Sequence, residues 1–232
     1  MSWSGLRIGL LLPALIVAVF VPGVSEAQRD VDLELIMAID VSGSVDSEEY
    51  ALRMGGIADA FWDPDIQGAI EIASPRGIAV SVVLWSSSEW QVVAVDWGLI
   101  LNADDAHAFA DAVDAAPREH RGNTAIGSAI DFSIRHFIGN GFEGARRVID
   151  VSGDGISNDG PDTEPARDRA VARGITINGL VIVENNLPAR RFYRERVIGG
   201  PRAFVMDARG FDDFGRVFKR KLLREISGPG LS

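Results

Sequence analysis

The chain has 232 residues, 47% of them hydrophobic, with 33 acidic side chains against 23 basic ones and a net charge of -10. That length suffices for one domain with a sizeable core. The acidic balance argues against nucleic acid as a partner and against adsorption to anionic lipid, because both call for a basic surface. Cysteine is absent, so disulfides and thiol chemistry are excluded, which an exported protein with a core of this size tolerates.

The N-terminus reads as an export signal. Arg7 supplies positive charge, Ile8–Val21 is apolar with one proline, and Ser25-Glu26-Ala27 offers small residues where a signal peptidase cuts. Cleavage after Ala27 is expected, leaving residues 28–232 as a single domain in the periplasm or outside the cell. The apolar run falls short of the ~20 residues that span a bilayer, so no stable membrane insertion is expected after cleavage, a retained anchor being the alternative. Arg7 and Glu26 leave together, and the mature charge stays at -10.

The run IMAIDVSGSVD, Ile36–Asp46, is the most informative stretch. Its continuous apolar start suits a parallel strand covered on both faces, so Asp40 falls at the carboxyl end, where loops collect ligands. Ser42 and Ser44 follow at alternate positions, and Gly43 between them lets the backbone turn tightly. Two hydroxyls and a carboxylate can then converge as oxygen donors for a hard cation such as magnesium, which keeps several waters. Capping of the following helix accounts for the same three residues. Asp46 and Glu49 read as that helix's cap, and Tyr50, Met54, Ile57 and Phe61 as its apolar stripe.

Asp63-Pro64 then opens a turn or short helix, and Ile78–Trp85 returns to strand pattern. Trp90–Val95 follows after Ser86, Ser87, Ser88 and Glu89, a hairpin-sized gap that predicts an antiparallel edge strand. Ala106, Phe109 and Val113 mark a helix capped by Asn102. The polar segment Pro117–Gly122 leads to Thr124, in a loop before a helix bearing Ile126, Ile130, Ile134 and Phe137.

Arg147–Gly155, RVIDVSGDG, is another apolar strand, here running into the glycine-flanked Asp154. Asp150 interrupts its pattern and either holds a hydroxyl or water behind the ligands or is satisfied by neighbouring backbone. Turn formers fill Ile156–Glu164. Ile175–Val183 and Ala203–Met206 are strands, and Phe214, Val217, Phe218, Leu222 and Ile226 lie on a last helix. The only two lysines, Lys219 and Lys221, sit within Arg216–Arg224, which reads as that helix's solvated face.

This alternation predicts an α/β fold: a doubly wound, mainly parallel six-stranded sheet with one antiparallel edge strand and helices on both faces. With the first strand central, Asp40, Ser42, Ser44, Thr124 and Asp154 would meet at the switch point beside it. His107, His120 and His136 show no mutual metal-ligand spacing. Trp62, Trp85, Trp90 and Trp97 are assigned to core or edge packing.

Taken together, Asp40-x-Ser42-x-Ser44, Thr124 and Asp154-Gly155 resemble the metal-ion-dependent adhesion site of von Willebrand factor A domains. The resemblance covers nearly all of residues 28–232. More narrowly, the single-domain exported layout and the SGDG turn at Ser152–Gly155 are similar to a bacterial family of A-domain proteins with no assigned function. The resemblance implies that Ser42 and Ser44 bind Mg2+ or Mn2+ directly, Thr124 directly or through water, and Asp40 and Asp154 often through water. It also implies that a partner's Asp or Glu completes the shell. Many A domains carry Thr before the aspartate of the third motif, where Gly153 stands here, and the glycine is expected to loosen that loop.

Three function classes follow. One is a noncatalytic, metal-dependent module that binds a protein presenting a carboxylate. Another is a metal-dependent hydrolase, for instance a phosphoryl transferase using metal-bound water or Asp40 as nucleophile. Against it, the phosphatase pattern requires a second aspartate at the position held by Ser42. The third is a scaffold in which the metal only stiffens the loops.

Overall fold

Every residue of Leu33–Asp40 is buried, which only the middle of a sheet covered on both sides permits. The computed structural model describes residues 28–117, 122–183 and 187–228; the export segment and His120 lie outside them. In chain order the elements are β1 (Arg29–Val31), β2 (Leu33–Asp40), α1 (Ser47–Trp62), α2 (Pro64–Ala73), β3 (Ile78–Trp85), β4 (Gln91–Ile100), α3 (Ala103–Asp114) and α4 (Ile126–His136). There follow β5 (Phe142–Gly144), β6 (Arg147–Gly153), α5 (Thr163–Val171), β7 (Ile175–Ile182), α6 (Leu187–Phe192) continuing into a π-helical turn (Tyr193–Val197), β8 (Val205–Ala208) and α7 (Phe211–Ser227).

Among the described residues six strands form the main sheet in the order β4-β3-β2-β6-β7-β8, parallel except for the β3–β4 hairpin. Helices cover both faces. Leu33, Leu35, Met37 and Ile39 pack with α1, α2, α3 and α7, while Ile36 and Ala38 pack with α4, α5 and α6. The chain leaves β2 toward β3 on one side, and β6 pairs on the other, so the switch point lies at the carboxyl end of β2. This is the expected doubly wound architecture. Short β1 and β5 add a separate parallel pair that the sequence pattern does not announce.

Local signals account for the element starts. Asp46 accepts from the backbone N–H groups of Glu48 and Glu49, and Glu49 returns a bond to the Asp46 N–H, forming a capping box for α1. Asn102 Oδ1 caps α3 at the Asp105 N–H. Pro64 opens α2 behind the Asp63 cap. Strand β4 runs to Ile100, past the expected Val95, with register shifts against β3 that keep an edge strand paired. Helix α5 escapes the periodicity reading because it buries only Thr163, Ala166 and Ala170, too small to make an apolar stripe.

The last helix departs from expectation. Lys219 is partly exposed and pairs with Asp63 and Asp65, but Lys221 is fully buried, so Arg216–Arg224 is not simply a solvated face. The Lys221 Nζ lies 2.6 Å from Asp150 Oδ1 and 2.6 Å from Glu225 Oε1. Asn178 Nδ2 donates to the same Glu225 oxygen at 2.8 Å. Asp150 is therefore neither satisfied by backbone nor placed behind the candidate ligands. It sits opposite Met37 in the β2–β6 register, on the α1/α7 face, whereas Asp40 follows Ile36 and Ala38 on the other face.

Candidate metal site

Asp40 ends the buried central strand with no exposed surface. Its Oδ1 accepts the Ser42 backbone N–H at 2.7 Å, which folds the following turn back over the strand end. The Ser42 and Ser44 hydroxyls come within 3.3 Å of each other, and Ser44 Oγ donates to Asp154 Oδ1 at 3.1 Å. Ser42 is buried and Ser44 exposed. The Asp154 side chain is 17% exposed, so the cluster opens to solvent on the Ser44 and Asp154 side.

Two loops are stitched around this cluster. Gly43 N–H donates to Gly122 O at 2.8 Å, tying the serine turn to the segment before Thr124. Thr124 O accepts from the N–H groups of Asn158 and Asp159, while the Thr124 N–H donates to Asn158 Oδ1 at 2.9 Å. The Thr124 hydroxyl lies 3.9 Å from where a Cβ on Gly155 would sit, beside Asp154. The structure thus brings Asp40, Ser42, Ser44 and Asp154 into one cluster and fastens Thr124 to its rim. Asp150 stays apart.

Two residues absent from the sequence reading complete the surroundings. Arg53, fully buried on α1, donates from Nη1 to the Asp40 carbonyl at 2.6 Å and holds Nη2 4.0 Å from Asp154 Oδ1. Tyr193, also fully buried, brings its hydroxyl against Gly153. A Cβ on Gly153 would lie 2.6 Å from Tyr193 Oη and 2.9 Å from Asp40 Oδ2. Gly153 is the last residue of β6, in register with Val181, so the glycine does not mark a loosened loop. Its missing side chain is the space the tyrosine and Asp40 occupy. Arg53 had a sequence signal, since it falls on the helical stripe of Tyr50, Met54 and Ile57; Tyr193 had none.

Burial pushes the Asp40 carboxyl up to about 6, with Arg53 pulling it back and Asp154 adding to the rise. Asp40 Oδ2 is buried with no hydrogen-bond donor among the described residues. An orphaned carboxylate oxygen is costly unless something positive reaches it. Among the described residues no three His, Cys, Asp or Glu side chains gather to hold a metal. The donors here are two carboxylates and neighbouring hydroxyls instead, a hard-oxygen set of low charge that fits magnesium or manganese better than a soft metal. His107 and His136 are engaged elsewhere, with Gln67 and Ser81. Trp85 is buried, and Trp62 stacks on His107 at 3.9 Å.

A central parallel strand ending in Asp-x-Ser-x-Ser, with a threonine loop and an aspartate from the adjacent strand end beside it, is the arrangement the resemblance implied, and the chain shares its fold with a solved von Willebrand factor type A structure. The chain belongs to the family described as "Protein of unknown function (DUF1194)", whose profile matches residues 30–230. Similar solved structures include proximal thread matrix protein 1 from the mussel byssus, with a TM-score of 0.63 at 16% identity over 86% of this chain and 49% of that one. A structure of that mussel protein described as having a zinc-occupied MIDAS motif gives 0.61 at 14% identity, over 86% and 49% of the two chains. A von Willebrand factor type A protein from Catenulispora acidiphila gives 0.60 at 17% identity, over 84% and 42%. The chain therefore spans about half the length of these relatives or less, and at such identities the likeness is one of fold. No curated protein sequence matches it. No helix among the described residues is long and apolar enough to cross a membrane.

Proposed function

We propose that this protein is a noncatalytic recognition domain, exported from the cytoplasm, in which a divalent cation bridges to a carboxylate on a protein partner. Asp40, Ser42, Ser44, Thr124 and Asp154 would hold the cation, Mg2+ or Mn2+. The observation that carries this reading is the buried Asp40 carboxylate, its Oδ2 without a donor among the described residues, in one cluster with converging serine hydroxyls and a second carboxylate at the open end. The cation would supply an electrophilic point at that end. Few anionic donors leave it under-neutralised, so an incoming Asp or Glu makes a strong contact.

The chain's own residues prepare that contact. The Ser42 N–H orients Asp40, the Gly43–Gly122 bond holds the serine turn against the threonine loop, and the Asn158 bonds fix Thr124. The zinc-occupied motif in the mussel relative supports cation binding at the corresponding fold position. Export is supported by the Arg7, Ile8–Val21 and Ala27 pattern.

The test is capture from an envelope extract by the immobilised protein, in magnesium and in chelator, with folded Asp40→Ala beside it. Retention of a protein by the wild type in magnesium alone is the expected result. The same bound set in all lanes would refute metal-bridged recognition, and turnover of a phosphoester by the wild type but not the variant would replace it with the hydrolase reading.

A further inference from the structure

Arg53 is hard to explain as a packing residue. Its guanidinium is fully buried, one nitrogen bonds the Asp40 carbonyl, and the ring of Phe211, at the start of α7, lies 4.9 Å from its carbon. Nε and Nη2 make no hydrogen bond with the described residues. Buried arginines are ordinarily tolerated through paired, two-pronged bonds to a carboxylate. Here Nη2 stops 4.0 Å from Asp154, and the orphaned Asp40 Oδ2 stays without a donor. The guanidinium is thus placed to neutralise the site at a distance, while Asp40 Oδ2 accepts no hydrogen bond from the described residues.

The charge count gives this a consequence. Asp40, Asp154 and Arg53 sum to one negative charge without a metal, and to one positive charge with a divalent cation. Without the arginine the same two states would be doubly negative and neutral. We infer that Arg53 is a resident counter-charge of the cation site, standing in for the metal's charge when none is bound, lowering the site's cation affinity, and leaving the loaded site more positive toward an anionic ligand than it would be without the arginine. This rests on the cation-site reading above. Phe211 shields the guanidinium from the α7 side, so the charge acts mainly on the two carboxylates.

The experiment compares wild type, Arg53→Gln, which keeps a donor for the Asp40 carbonyl, and Arg53→Lys, which keeps the charge. Mn2+ affinity is measured by calorimetry, and thermal melting is followed in chelator and in saturating Mn2+. Arg53→Gln should bind Mn2+ about tenfold more tightly, since a nearby like charge has gone, while Arg53→Lys stays near the wild type. Arg53→Gln should also melt earlier than wild type in chelator and recover most of that loss in Mn2+.

Equal affinities, or the same melting deficit with and without Mn2+, would overturn the inference and leave the cation site standing. Mn2+ binding by Arg53→Gln but not by wild type would support it while refuting cation use by the native chain. No binding by any of the three proteins would refute both. An Arg53→Gln chain that stays unfolded even in Mn2+ would also overturn the inference, because the metal could not then take the arginine's place.

Discussion

A methyl group at position 153 would collide with two atoms of the site. The Gly153 position leaves 2.6 Å to Tyr193 Oη and 2.9 Å to Asp40 Oδ2 for any Cβ, both well inside van der Waals contact. Gly153→Ala is therefore expected to cost about 1–3 kcal/mol of stability, the usual range for overpacking, measured by denaturant unfolding. Adding Tyr193→Phe should return much of that stability by removing the hydroxyl. It should not restore Mn2+ affinity, because the clash with Asp40 persists. Full recovery of both would show that the tyrosine alone demands the glycine. At this scale Asp40, Ser42, Ser44 and Asp154 were legible because ligand-bearing residues repeat at short spacing where apolar runs stop. Tyr193 was not, because it reaches the Gly153 space beside Asp40 from a separate segment that shares no local pattern with it.

Helix α7 is held to the sheet by more than apolar contact. It crosses α1 closely at Gly56 and Gly215, where a Cβ on Gly56 would come within 2.7 Å of the Gly215 Cα, and it buries Lys221 between Asp150 and Glu225. Burial raises the Asp150 carboxyl from its ordinary 3.8 to about 7, with the Lys221 ammonium opposing and Glu225 reinforcing the rise. The folded state thus keeps a proton that the unfolded chain has already lost. The associated stabilisation is complete below about pH 4 and disappears as pH rises through about 7.

Asp150→Asn removes that titration with little change of shape. Its stability should fall less steeply than that of the wild type between pH 4 and 8. At pH 8 the variant should be the more stable by on the order of 1 kcal/mol, read from denaturant curves. Parallel pH profiles would mean that Lys221 keeps Asp150 ionised throughout. The helix itself was legible from Phe214, Val217, Phe218, Leu222 and Ile226, all of which are buried. The burial of a lysine within it was not, since the partner carboxylate lies on β6, far away in sequence.

For the whole molecule, a ligand that binds only the folded state raises stability by mass action. Magnesium at a hundred times its dissociation constant should add about 2.7 kcal/mol. For a domain of this size that is a rise of roughly 5–10 °C in melting temperature, reversed by chelator and absent in Asp40→Ala. A shift of the same size in Asp40→Ala would place the ion elsewhere on an acidic surface of net charge -10.

The sequence by itself determined the layer architecture, the antiparallel edge, the helix caps and the strand ends that present the candidate ligands. These depend on apolar periodicity and capping chemistry, which act over a few residues. Only the tertiary structure decided how the buried charges are partnered: Arg53 beneath Asp40 and Asp154, Lys221 between Asp150 and Glu225, and Tyr193 in the space left by Gly153. A charged or hydroxyl-bearing side chain in a helix looks like surface until the opposing element is known. The energy that permits its burial comes from partners remote in the chain.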